Sequence, residues 1–254
     1  MYKKLLASAG IGSAEVDTQL TNERLRPGDI LQGKVVIKGG RIEQKVDKIN
    51  LFVMTEALRE RNDRKHYENI VLHRFALNES FLIGVGETKV IDFEFPLPIH
   101  TPPTINRTRA WIQTGLDIPQ AIDPNDRDYL QVAPHKWMDT CLQALTNELA
   151  FELKKVDMEY SDHHGYIQEF EFRPLKEFKA DLDELEAVFL LQEDRIEIVL
   201  QVDRKAKGLR SLFAEALDMD EHNVRITILE SEMEQGTLYV AKRLKDVISQ
   251  YIEN

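Results

Sequence analysis

The side chains of this 254-residue chain that could do acid–base, nucleophilic or metal chemistry are seven histidines, one cysteine and 44 carboxylates. The histidines are His66, His73, His100, His135, His163, His164 and His222. Only His163 and His164 are adjacent, and neighbours on a strand point to opposite faces, so they are poorly placed to share a metal there. No HExxH pattern occurs, and a single cysteine rules out CxxC. Ser161-Asp162-His163-His164-Gly165 reads as a solvated loop. Cys141 lies in a helix-like run and reads as a small core residue, since no His or Asn sits at the spacing of a known thiol-enzyme family. Asp123-Pro124-Asn125-Asp126-Arg127-Asp128 looks like an acidic calcium loop. It fails that pattern, because Arg127 takes the fifth position and no glycine follows, and so it reads as turn-forming. Gly84-Val85-Gly86 lacks the third glycine and the strand–turn–helix setting of a phosphate cradle, which leaves a turn between strands. GxSxG is absent. Carboxylate pairs are abundant enough to arise by chance. No catalytic residue, metal ligand or cofactor is therefore expected.

The elements that would position any site are mostly strands. Val16, Thr18 and Leu20 alternate with polar neighbours, and Pro27-Gly28-Asp29 is a turn. Ile30 to Lys38 is a strand, and Gly39-Gly40 suits a hairpin turn. Ile49, Leu51 and Val53 mark another strand, and Ile70 to Phe75 the next. In the stretch from Lys89 to Phe95, Val90, Asp92 and Glu94 oppose Ile91, Phe93 and Phe95, a period of two with one buried face. Pro96, Pro98, Pro102 and Pro103 interrupt regular structure. Ala110 to Gly115 resumes it. Short strands at this spacing predict a β-sandwich.

Farther on, Trp137, Cys141, Ala144, Leu145 and Leu149 predict an amphipathic helix. Strands follow at Phe151 to Val156 and at Phe170 and Phe172. Leu185–Leu191 and Arg195–Asp203 form a hairpin, Leu209–Leu217 a helical turn or two, and Val224 to Ile228 a last strand. Leu238, Ala241, Leu244, Ile248 and Tyr251 predict a C-terminal helix, packed on its own domain or facing a partner or second copy.

Composition narrows the partners. Residues 1–136 carry 19 Lys+Arg against 18 Asp+Glu, while residues 137–254 carry 14 against 26. Eight of the nine prolines lie at or before Pro134. These shifts predict two domains, 1–134 and 135–254. The formal charge of −11 argues against nucleic acid and anionic membrane surfaces. No run of 18 apolar residues predicts a membrane span.

Several segments then act together. Ala9-Gly10-Ile11-Gly12 precedes the first strand, and Pro27-Gly28-Asp29 precedes Gly33 to Gly40. Phe93-Glu94-Phe95-Pro96-Leu97-Pro98 leads to Thr101-Pro102-Pro103-Thr104, and Thr114 to Asp128 is the most distinctive stretch. Val202 to Leu209 leads to Leu212-Phe213-Ala214-Glu215. This set resembles the bacterial sporulation-control protein family, whose fold is similar to arrestin, over about Leu5 to Leu229. The resemblance implies a mainly β protein of two tandem arrestin-like sandwich domains, with short helices in the C-terminal half. It implies a non-enzymatic cytoplasmic regulatory or scaffold protein that binds proteins of unknown identity, linked to sporulation onset, cell division or the cytoskeleton. It carries over no catalytic residue. A homo-oligomer through the last helix stays open, as does a small-ligand-binding or metal-dependent enzyme on a sandwich, which His163-His164 and the surplus of acids would serve.

Overall fold

The computed structural model describes residues 13–61, 64–77, 80–117, 125–161, 165–204 and 223–253. The chain forms two compact units. Unit 1 comprises Met1–Thr55, Asn69–Thr104 and Arg109–Ala133, and unit 2 comprises Glu56–Glu68, Ile105–Thr108 and Pro134–Asn254.

Unit 1 is built on alternation. Strands β1 (Glu15–Leu20), β3 (Ile30–Lys38) and β8 (Thr88–Pro96) form an antiparallel sheet in the order β1-β3-β8. A second sheet joins the first part of β5 (Lys48–Arg61) to β9 (Ala110–Asp117), then β10 (Asn125–Val132) and the two-residue β2 (Arg24–Leu25), with β6 (Arg64–Ala76) on the other side of β5. Short β4 (Gln44–Val46) and β7 (Phe81–Ile83) pair with each other. Inward residues of both sheets share one core: Leu31, Val35 and Ile37 from β3, Phe93 and Phe95 from β8, Ile49, Leu51 and Val53 from β5, and Ala110, Ile112 and Leu116 from β9. Each large side chain buried this way contributes about 1.5–3 kcal/mol.

Two turn readings are corrected. Asn125, Asp126, Arg127 and Asp128 stand in strand β10, paired with Gly115, Thr114, Gln113 and Ile112. The β9 partner overrides their turn chemistry; Asp123 and Pro124 lie outside the described residues. Gly39-Gly40 does not close a hairpin, since β3 pairs with β1 and β8. What Gly39 provides is clearance, because a Cβ there would lie 1.9 Å from the Gly84 carbonyl oxygen. Gly84 and Gly86 do form the expected turn, between β7 and β8. Glu87 Oε2 accepts the Gly84 N–H at 2.6 Å, and Gly86 takes φ +65.

Unit 2 opens with α1 (Lys136–Gln143), started by His135, whose Nδ1 accepts the Trp137 N–H. The predicted single helix widens into a π turn over Ala144–Glu148. Trp137, Met138, Cys141, Leu142 and Leu145 are its buried seam. Strands β11 (Phe151–Ser161), β12 (Gly165–Pro174), β13 (Leu182–Leu191), β14 (Arg195–Arg204) and β15 (Asn223–Leu229) then pair antiparallel in chain order. The expected β13–β14 hairpin is present; Leu209–Leu217 lies outside the described residues. After the short α2 (Glu230–Met233) comes α3 (Thr237–Glu253), which packs on α1, the π turn, β14 and β15.

Candidate functional site

The two outer strands of the β1-β3-β8 sheet end differently. Thr18 faces Val35 across β1 and β3, yet its N–H donates to Asp126 Oδ2 at 2.6 Å. Its hydroxyl pairs with that of Thr114 at 2.6 Å. The outward amide of β1 is thus capped by a carboxylate of β10. Burial first, then the neighbouring Asp126 and Asp17, raises the Asp128 carboxyl to about 7.

Strand β8 has no such cap among the described residues; it is hydrogen-bonded to β3 alone. Its orientation follows from β1. Because Thr18 turns away from β3, Thr18–Val35 is a non-hydrogen-bonded pair and Val35 turns its backbone groups toward β8. Ile91 stands opposite Val35, so Ile91 and Phe93 bond to β3, while Val90, Asp92 and Glu94 aim N–H and C=O outward. The Gly39 N–H donating to the Glu87 carbonyl at 2.7 Å keeps the same parity. The Val90 side chain is 52% exposed, whereas Phe93 and Phe95 are buried. A shallow hollow of about 350 Å³ lies across β3, between Thr21 and β8, lined by Thr21, Gln32, Gly33, Asp92, Phe93 and Glu94.

Unit 2 places acids where sequence reasoning saw only a surplus. Asp157 on β11 stands directly opposite Glu169 on β12, with Glu159 opposite Ile167. All three acids are more than nine-tenths buried. Lys155 Nζ reaches Asp157 at 2.7 Å, and among the described residues Glu169 Oε2 has no hydrogen-bond partner. Burial, reinforced by Glu159 and Asp157, pushes the Glu169 carboxyl up to about 8. The missed signal was parity: Lys155, Asp157 and Glu159 alternate on β11, and Glu169 and Glu171 on β12. Another polar group joins Arg59, which lies 4.0 Å over the Tyr160 ring, to Glu68, which also accepts the Tyr166 hydroxyl at 2.8 Å.

The remaining candidates are placed as follows. Cys141 is fully buried and its thiol is pushed up by burial, so it is a core residue. Among the described residues no group of three or more His, Cys, Asp or Glu is arranged to hold a metal ion; His163, His164 and His222 lie outside them. On α3, Ala241, Leu244 and Ile248 are buried, Tyr251 is half-buried and Leu238 is 71% exposed. Most of that apolar seam is thus occupied within unit 2, leaving Leu238 on the outside. Among the described residues no helix is long and apolar enough to cross a membrane.

Comparison with known proteins addresses the whole arrangement. The family Spo0M, described as SpoOM protein, matches residues 2–206. The sporulation-control protein spo0M of Bacillus subtilis (strain 168) is 38% identical over 257 residues, covering 99% of each chain. A crystal structure of Spo0M from Bacillus subtilis superposes with a TM-score of 0.85 at 36% identity, covering 95% of this chain and 100% of that one. The mainly β fold with a C-terminal helix is therefore shared with that structure, and the chain belongs to the Spo0M family of sporulation-control proteins.

Proposed function

We propose that this chain is a non-enzymatic cytoplasmic regulatory scaffold that acts by binding other proteins, with two tandem arrestin-like domains, 1–134 and 135–254, holding its docking surfaces. The observation that carries this reading is the uncapped edge of β8. Backbone N–H and C=O groups facing out of an ordered sheet can accept a strand from a partner, and main-chain hydrogen bonds then supply affinity. The sporulation-control name of the Bacillus subtilis relative supports a regulatory task, which would touch sporulation onset, cell division or the cytoskeleton. Crosslinking of the intact chain in living cells, followed by identification of what is joined to it, tests the reading. One protein recovered reproducibly at stoichiometric yield is expected. Repeated recovery of none overturns it, and stoichiometric zinc, iron or manganese in the purified protein would move the assignment toward an enzyme.

A further inference from the structure

Resting on the protein-binding reading, we propose that β8 docks an extended partner segment in which basic and apolar residues alternate.

The alternation follows from the register. A strand laid against β8 hydrogen-bonds to the outward groups of Val90, Asp92 and Glu94. Its side chains fall in rows shared with those of β8, every second one on the same face. On the solvent face that row is Val90, Asp92 and Glu94, with Lys34 and Gln32 behind it on β3, and Gln32 Nε2 already donating to Glu94 at 3.2 Å. A residue placed beside Asp92 and Glu94 therefore meets two exposed carboxylates. Lysine or arginine fits there, and an acidic residue is repelled. On the opposite face the row is Ile91, Phe93 and Phe95. Ile91 is half-buried and the two phenylalanines are buried in the core of unit 1. An apolar residue added to that row extends the core.

The same charges disfavour pairing with a second copy centred on Asp92. Antiparallel pairing of two β8 strands about Asp92 sets Asp92 against Asp92, with Glu94 of each copy beside Val90 of the other. Like charges directly opposite are destabilising. In that register the acids work against self-association while selecting a basic partner.

The test uses the intact chain and a labelled peptide of five Lys-Val repeats, read by fluorescence anisotropy. A peptide of five Glu-Val repeats serves as the comparison. The Lys-Val peptide is expected to bind and the Glu-Val peptide to fail. Val90→Pro removes an outward N–H that β3 does not use, so the sheet tolerates it, and binding should weaken by about tenfold or more. The double variant Asp92→Lys, Glu94→Lys keeps the backbone intact and should reverse the preference toward the Glu-Val peptide. Equal binding of both peptides overturns the proposal, as does Lys-Val binding that neither variant changes. So does a concentration-dependent rise in mass that Val90→Pro abolishes, which would assign the edge to a second copy. Partner crosslinking in cells that survives in both variants would leave the scaffold reading standing while removing β8 as its site.

Discussion

Gly39 and Gly84 meet so closely that a methyl group on Gly39 would lie 1.9 Å from the Gly84 carbonyl oxygen. The obstructing atom is backbone, within a turn already fixed by the Glu87 carboxylate and by Gly86 N–H donation to the Gly39 carbonyl at 3.2 Å. It cannot swing aside as a side chain would. Gly39→Ala should therefore destabilise the protein by about 2–4 kcal/mol, read as a lower denaturation midpoint. Gly115→Ala is the control. Its Cβ would meet Phe52 Cε2 at 3.6 Å, an ordinary contact, so the midpoint should stay nearly unchanged.

Asp126 caps one outward amide of β1, that of Thr18. Asp126→Ala leaves the Thr18 N–H without its carboxylate, a loss of about 1–2 kcal/mol locally. Amide hydrogen exchange at Thr18 should accelerate, with little change at Val35, whose backbone groups face β8. The same substitution removes one of the charges that raise Asp128, so the Asp128 carboxyl should titrate below about 7. NMR titration of the carboxyl carbons checks this.

Glu169 predicts a pH dependence of stability with a definite sign. Its folded value of about 8 lies above the ordinary 4.5. Below 4.5 both the folded and unfolded chain hold the proton. Between 4.5 and about 8 only the folded chain holds it, so stability falls as pH rises, by at most about 1.4 kcal/mol per pH unit. Above about 8 the loss is complete. Glu169→Gln removes this contribution. Denaturation of the variant relative to the parent should show a relative gain that grows from pH 5 to pH 8 and then levels off. A constant difference across that range would refute the assignment.

Helix α3 separates two kinds of leucine. Leu244 is fully buried, whereas Leu238 is 71% exposed. Leu244→Ala leaves a cavity and should cost about 2–5 kcal/mol, whereas Leu238→Ala should change stability by less than about 0.5 kcal/mol. Chemical denaturation of the two variants distinguishes them.

Strands with one wet and one dry face, such as β3 and β8, are legible in the amino-acid sequence alone, and so is the β13–β14 hairpin, from two apolar runs close together in the chain. The strand period of two is a local property that needs no partner to be read. The sequence by itself determined the terminal helix for the same reason, and the family through distributed motifs such as Thr114 to Asp128. Beyond that hairpin it did not determine which strands pair. Asn125 to Asp128 carries turn-forming residues, and only the β9 ladder makes it a strand. Gly39 has the composition of a turn, and only the approach of Gly84, 45 positions along the chain, shows that its missing side chain is what matters. Asp157 and Glu169 became a pair only when β11 met β12 in one register. Whether an outward strand amide is capped by Asp126 or left open at Val90 is likewise decided by what the chain brings alongside it. Backbone groups look alike in every sequence, and only tertiary packing says which of them still face outward.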